Sequence, residues 1–180
     1  LLTMLGDTDP QRYLVLLENS NEIRPGGGFI GSYMLLTLND GYLDHRAFYD
    51  VYELDNRYHK SITPPPEIAR LTQDWRFRDS NISPDLRSSA AKAAWFFEEE
   101  GGPTVDHVVM VDLDAVAELL NLTGPVKLDE LPIALSSENF ATVLSYMVEA
   151  KLLGETTPKE ILNRFIERVE EKVREQKPWL

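Results

Sequence analysis

The chain contains no cysteine, which excludes a disulfide framework, thiol catalysis and every zinc or iron–sulfur site built on thiolates. Histidine is scarce as well. His45, His59 and His107 are the only three, and none stands in an HExxH motif or at i, i+4 from another, so a histidine-built zinc site has no foundation. Positive charge is short: 18 Lys and Arg face 30 Asp and Glu, a net charge of −12. That balance repels phosphate backbones and anionic lipid surfaces and argues against nucleic-acid binding. No apolar window reaches the ~20 residues needed to span a bilayer. Neither a G-x-x-x-x-G-K-[ST] loop nor a G-x-S-x-G elbow occurs, which sets aside phosphate-loop NTPases and serine hydrolases.

What is present is 180 residues, 43% hydrophobic and 27% charged, the size and balance of one domain of 1–180 able to bury roughly 70% of its unfolded surface. The chain opens on Leu1-Leu2-Thr3-Met4-Leu5 rather than an initiator methionine, so it reads as a piece of a longer protein whose anchor would lie upstream. Charge is uneven. Residues 93 to 148 carry ten acidic groups and one basic group, whereas ten basic groups lie in residues 1 to 92.

Periodicity supplies the elements. Arg12 to Glu18 is a continuous apolar run bounded by Asn19-Ser20-Asn21, which predicts an interior strand. Phe29 to Leu38 and Tyr42 to Tyr49 flank Asp40-Gly41, a hairpin signal, so three adjacent antiparallel strands are expected. Pro64-Pro65-Pro66 marks a long excursion from Asp50 to Ser83. Ser83 reads as an N-cap with Pro84 at the first helical position of a helix running to Glu100. Val105 to Val111 reads as a strand, Leu113 to Leu122 as a helix and Val126 to Leu128 as a further strand. Strand, helix, strand at that spacing implies a crossover unit in a sheet covered by helices, and hence an α/β fold with a mixed sheet. Ser136 to Leu153 reads as a helix, and Thr157-Pro158-Lys159-Glu160 as a capping box opening a last helix with Ile161, Phe165, Val169 and Val173 on one face.

Two stretches carry chemistry. Gly26-Gly27-Gly28-Phe29-Ile30-Gly31 matches G-x-G-x-x-G in form, but a strand pattern follows instead of a helix, so no helix N-terminus is there to hold a pyrophosphate. The glycines read either as a flexible connection or as backbone approached closely by something else, with Gly27 and Gly28 as ligand contacts and Arg24 beside them as an anion contact. Trp75-Arg76-Phe77-Arg78-Asp79-Ser80-Asn81 is the densest segment. If extended, it places Arg76 and Arg78 on one side and Trp75 and Phe77 on the other. Two adjacent guanidinium groups need an anion. Asp74, Asp79 or Asp85 can supply it as an ordinary salt-bridge network, or a phosphate can, since planar guanidinium groups match phosphate oxygens in pairs. In the second case Asp79 and Asn81 join the ligand contacts, and Asp50 and Asp55 are candidates to hold Mg²⁺ bridging to the phosphates.

Arg12 to Asn19, Glu22 to Tyr33 and Trp75 to Asp85, together with Trp95-Phe96-Phe97 and the Val105 to Val126 stretch, resemble a bacterial domain family of unknown function. Members usually follow an N-terminal transmembrane helix and face the cell exterior, so the resemblance implies an extracytoplasmic, membrane-anchored setting. More distantly, Val105 to Asp112 followed by Leu119-Leu120 and Gly124-Pro125-Val126 is similar to the LytR-CpsA-Psr phosphotransferases, which move glycopolymers from a polyprenyl-pyrophosphate carrier with Mg²⁺ and arginines. That likeness implies a three-layer α-β-α sandwich and matches Arg24 and Asp50 to functional positions. Two departures accompany it: the Pro-Arg-Asp after the third strand is here Phe48-Tyr49-Asp50, and the late Arg-x-Arg has no counterpart between Ser136 and Arg164.

Three expectations result. A transferase would use Asp50 and Asp55 for Mg²⁺ and Arg24, Arg76 and Arg78 on a diphosphate. A binding module would only recognise a lipid-linked phosphate, a cell-wall glycan or another envelope protein. A structural arrangement would neutralise the arginines with neighbouring aspartates.

Overall fold

In the computed structural model, which describes residues 2–57, 60–150 and 158–176, the apolar run forms strand β1 (Gln11–Asn19). It lies inside a four-stranded mixed sheet of order β3-β2-β1-β4. Strand β2 (Phe29–Asn39) pairs antiparallel with β1, and β3 (Tyr42–Asp50) antiparallel with β2 across the Asp40-Gly41 turn. Both turn residues have positive φ, 49° and 79°, as a tight hairpin of this chemistry requires. Strand β4 (His107–Asp112) runs parallel to β1 on its other side. An interior position is what an apolar run without a solvent face predicts.

The parallel pair is not the expected one. Val126 to Leu128 joins no sheet; Val126 makes a single antiparallel bridge to Leu135. A lone bridge so soon after a helix leaves too little extended chain to add to a ladder. The parallel connection instead runs from β1 to β4, through everything between residues 20 and 106.

A bulge decides which side chains reach the core. Leu17 opposes Ser32 and Glu18 opposes Ile30, so Gly31 is the extra residue on β2. The slip puts Ile30 and Tyr33 on one face although they are three apart, and both enter the core with Leu14 and Leu16. Alternation along β1 sends Glu18 to that same face. The face is covered by α1 (Val51–Asp55), a 3-10 turn at Phe77–Asp79 and α2 (Leu86–Glu99), through Val51, Leu54, Phe77, Ala93, Phe96 and Phe97. Tyr33 meets Phe77 and Phe97 edge-on at 5.5 Å each. Burial of each large ring contributes roughly 1.5–3 kcal/mol.

Helix α2 begins later than its proline suggests. Asp85, not Ser83, is the N-cap, its carboxylate accepting from the Ser88 N–H at 3.1 Å. The carboxylate is the stronger acceptor, and the Ser83 carbonyl is taken by the Ser89 hydroxyl at 2.9 Å.

The chain divides into two compact units, residues 1–112 and 113–180. The second holds α3 (Leu113–Thr123), α4 (Phe140–Ala150) and α5 (Pro158–Gln176). Helix α4 starts four residues after Ser136, because Asn139 ties the preceding turn by accepting from the Ser136 N–H and donating to the Ala134 carbonyl. Its expected extension to Leu153 and the Thr157 cap lie outside the described residues. Ile161, Phe165 and Val169 of α5 are buried with Leu120, Val126, Leu135 and Phe140, as their spacing predicts.

Candidate functional site

The glycine loop and the 75–81 segment meet at Asn81, which is fully buried. Its Nδ2 donates at 2.7 Å to both Glu18 Oε1 and the Gly28 carbonyl, and its own carbonyl accepts from the Gly26 N–H at 2.8 Å. The glycines are required by these approaches. A Cβ on Gly27, whose φ is 139°, would collide with Glu18 Oε2, and one on Gly28 with the Asn19 carbonyl. Of the two expectations for this loop, close approach is what the geometry shows, and what approaches is protein.

The arginines are drawn together by aspartates. Asp79 joins two of them, taking Arg24 Nε on Oδ1 at 3.2 Å and Arg78 Nε near Oδ2 at 3.6 Å. Arg78 Nη1 also donates to Asp55 Oδ2 at 2.6 Å, where the Asp55 side chain is 2% exposed. Arg76 sits one residue before the 3-10 turn in an extended conformation, pairs with Asp74 at 3.3 Å and donates to the Lys60 carbonyl. The turn replaces the expected alternation. Phe77 points into the core while Trp75 packs on Phe96 at 5.3 Å and donates from its indole N–H to the Asp79 carbonyl at 2.8 Å. Local helical closure, with the Asp79 and Ser80 N–H groups returning to Arg76 and Phe77, is what turns the segment.

Asp55, Asp74, Arg76 and Arg78 line an open depression of about 370 Å³ together with Asn56, Thr72 and Gln73. Its ionic lining is two acids against two bases. Within electrostatic reach of these charges lies Glu100, 5% exposed at the C-terminal end of α2. Burial, reinforced by the Asp55 charge, pushes the Glu100 carboxyl up to about 7, against the pull of the Phe77 backbone and of Arg76 and Arg78. Burial raises Asp55 as well, with Arg78 opposing. Glu18, 4% exposed, is also pushed up to about 7 by burial and by Asp112, with the Asn81 hydrogen bond opposing.

Of the residues singled out from the sequence, Arg24, Arg78, Asp79 and Asp55 form one chain of ion pairs, and Arg76 shares the depression with Arg78 and Asp55. Gly27, Gly28 and Asn81 belong to the clasp around Glu18. Asp50 and Asp55 each have a partner within the chain. Asp50 caps α1, accepting from the Tyr52 N–H at 2.7 Å, and Asp55 holds Arg78. Among the described residues no group of three or more His, Cys, Asp or Glu is arranged to hold a metal ion. No sequence motif marks Glu18 or Glu100. A charge closing an otherwise apolar interior strand is the available signal for Glu18; a glutamate at a helix end offers none.

Residues 8–148 match the model of the family described as Protein of unknown function (DUF4012), and the chain belongs to that family. No curated protein matches it. Among the described residues no helix is long and apolar enough to cross a membrane.

Proposed function

We propose that this chain is a non-catalytic ligand-binding module of the cell envelope, holding a lipid-linked or wall glycan rather than transferring it. The resemblance to envelope domains and to the LytR-CpsA-Psr enzymes supplies the setting. The choice of binding over transfer rests on one observation: each arginine offered for a diphosphate already faces a carboxylate of its own chain, Arg24 and Arg78 on Asp79, Arg78 on Asp55 and Arg76 on Asp74. A diphosphate would have to compete with those carboxylates for the guanidinium groups, least favourably at Arg78, whose partner Asp55 is 2% exposed and would be left buried without its counter-charge. A transferase also needs charge stabilisation beyond ground-state binding, and the late arginine pair of those enzymes is missing here.

The test is incubation of the chain with a polyprenyl-diphosphate-linked saccharide, a peptidoglycan acceptor and Mg²⁺, reading both retention of the donor and release of polyprenyl phosphate. Retention without release is expected. Release of polyprenyl phosphate that is lost in Arg78→Ala would replace this reading with the transferase.

A further inference from the structure

The depression between α1 and the 72–78 segment differs from an anion site in three ways. Its ionic groups are already paired, Arg76 with Asp74 and Arg78 with Asp55 and Asp79. They are held in place: the Arg76 and Arg78 side chains are 16% and 27% exposed, Asp74 is also bonded by the Ser61 hydroxyl, and the Thr72 hydroxyl donates to the Asp74 carbonyl at 2.7 Å. Finally, the lining includes two exposed amides, Asn56 and Gln73, whose side chains have no hydrogen-bond partner among the described residues.

Such a set suits a group that donates and accepts at once. A phosphate only accepts, so it competes with Asp74 and Asp55 for the guanidinium groups and is repelled by both. A hydroxyl can donate to a carboxylate oxygen and accept from a guanidinium or amide N–H without breaking the pair between them. Neighbouring hydroxyls on a ring repeat that pattern at a spacing that a planar amide or carboxylate spans with two bonds. An aromatic surface stands beside it: Tyr52 is half exposed, with the Arg78 guanidinium over its ring at 5.5 Å from the centroid, and the part of the ring that Arg78 leaves uncovered offers apolar C–H contact.

We propose that this depression binds a neutral, polyhydroxylated ligand, a short stretch of saccharide, through Asn56, Gln73, Asp74, Arg76 and the exposed edge of Arg78. The proposal rests on the binding-module reading and assigns recognition to the sugar hydroxyls instead of the phosphates. The site is wide and wet, so single-site affinity is millimolar, as for few hydrogen bonds formed in exchange for water.

The experiment is amide-resolved NMR of the whole chain titrated separately with tetra-N-acetylchitotetraose, cellotetraose, glycerol and inorganic pyrophosphate, the last with and without Mg²⁺. Shifts confined to residues 52–56 and 72–78 are expected with at least one tetrasaccharide, and not with glycerol at matched hydroxyl concentration. The dissociation constant should be unchanged by added salt, because a neutral ligand is not screened. Asn56→Ala and Gln73→Ala remove exposed groups that bond nothing among the described residues, so they leave the spectrum otherwise intact. Each should weaken binding by about fivefold, the equivalent of one hydrogen bond. Salt-sensitive pyrophosphate binding at these residues without saccharide binding would overturn the proposal while leaving a binding module. Silence with every probe would overturn the saccharide site, while retention of the polyprenyl-linked donor decides the binding module separately.

Discussion

Asn81 donates its side-chain amide to Glu18, 63 positions away in sequence, at 2.7 Å and with both residues buried. The same nitrogen serves the Gly28 carbonyl, so one side chain joins β1, the glycine loop and the segment leading to α2. Asn81→Ala strands two buried acceptors, one of them ionisable, and should cost about 2–4 kcal/mol. Urea unfolding monitored by tryptophan fluorescence checks it, and a loss under about 1 kcal/mol would show that the clasp is incidental.

Stability should fall as pH rises from about 4.5 to about 7. Glu18 and Glu100 are both raised from 4.5 to about 7 in the folded chain, so over that window the folded state holds protons that the unfolded state has lost. Their stabilisation is complete below the unfolded value and gone above the folded one, on the order of 3 kcal/mol for each group. Glu100→Gln removes one of the two titrations and should flatten the slope, which separates this effect from the general repulsion of a chain with net charge −12. Midpoints of urea unfolding at about pH 4 and about pH 8, on either side of the window, decide it; equal midpoints for the parent chain would refute it.

A single methyl group should tell two glycines apart. Gly28→Ala drives a Cβ into the Asn19 carbonyl, whereas at the bulged Gly31 a methyl would meet nothing within 4 Å, and its φ is not positive. Gly28→Ala should therefore destabilise by about 2 kcal/mol or more, and Gly31→Ala by less than about 1 kcal/mol. Thermal unfolding of the pair gives the comparison, and equal losses would place the constraint elsewhere.

Arg78→Ala leaves the Asp55 carboxylate, 2% exposed, without its partner, and should cost about 3 kcal/mol. Lys60→Ala removes an ion pair with Glu99 whose side chains are 71% and 36% exposed and should cost no more than about 0.5 kcal/mol. Restoring neutrality in the double variant Arg78→Met with Asp55→Asn should recover part of the loss. If Arg78→Ala is as mild as Lys60→Ala, the pair is not structural and Arg78 is open to an outside anion.

The strands and helices were legible because their causes are local. An apolar run too short for a helix, an Asp-Gly turn and a four-residue repeat of Ile161, Phe165 and Val169 state period and burial without reference to distant residues. The misplacements share a cause as well. Ser83 and Asp85 compete for one cap, and Val126 to Leu128 satisfies a strand pattern that has no neighbouring strand to pair with.

By itself, then, the sequence determined that β1 is interior, that a hairpin follows the glycine loop, and that the adjacent Arg76 and Arg78 need a counter-charge. Only the tertiary structure decided which anions supply it. Asp74, Asp79 and Asp85 all lie close to Arg76 and Arg78 along the chain, yet Asp85 caps a helix, Asp79 bridges Arg24 and Arg78, and Asp55 reaches Arg78 from 23 positions away. Hydrophobic periodicity is a property of neighbours in sequence, and it survives any arrangement of the elements. An ion pair depends on where two side chains end up in space, and on the burial that makes their charges costly to leave alone.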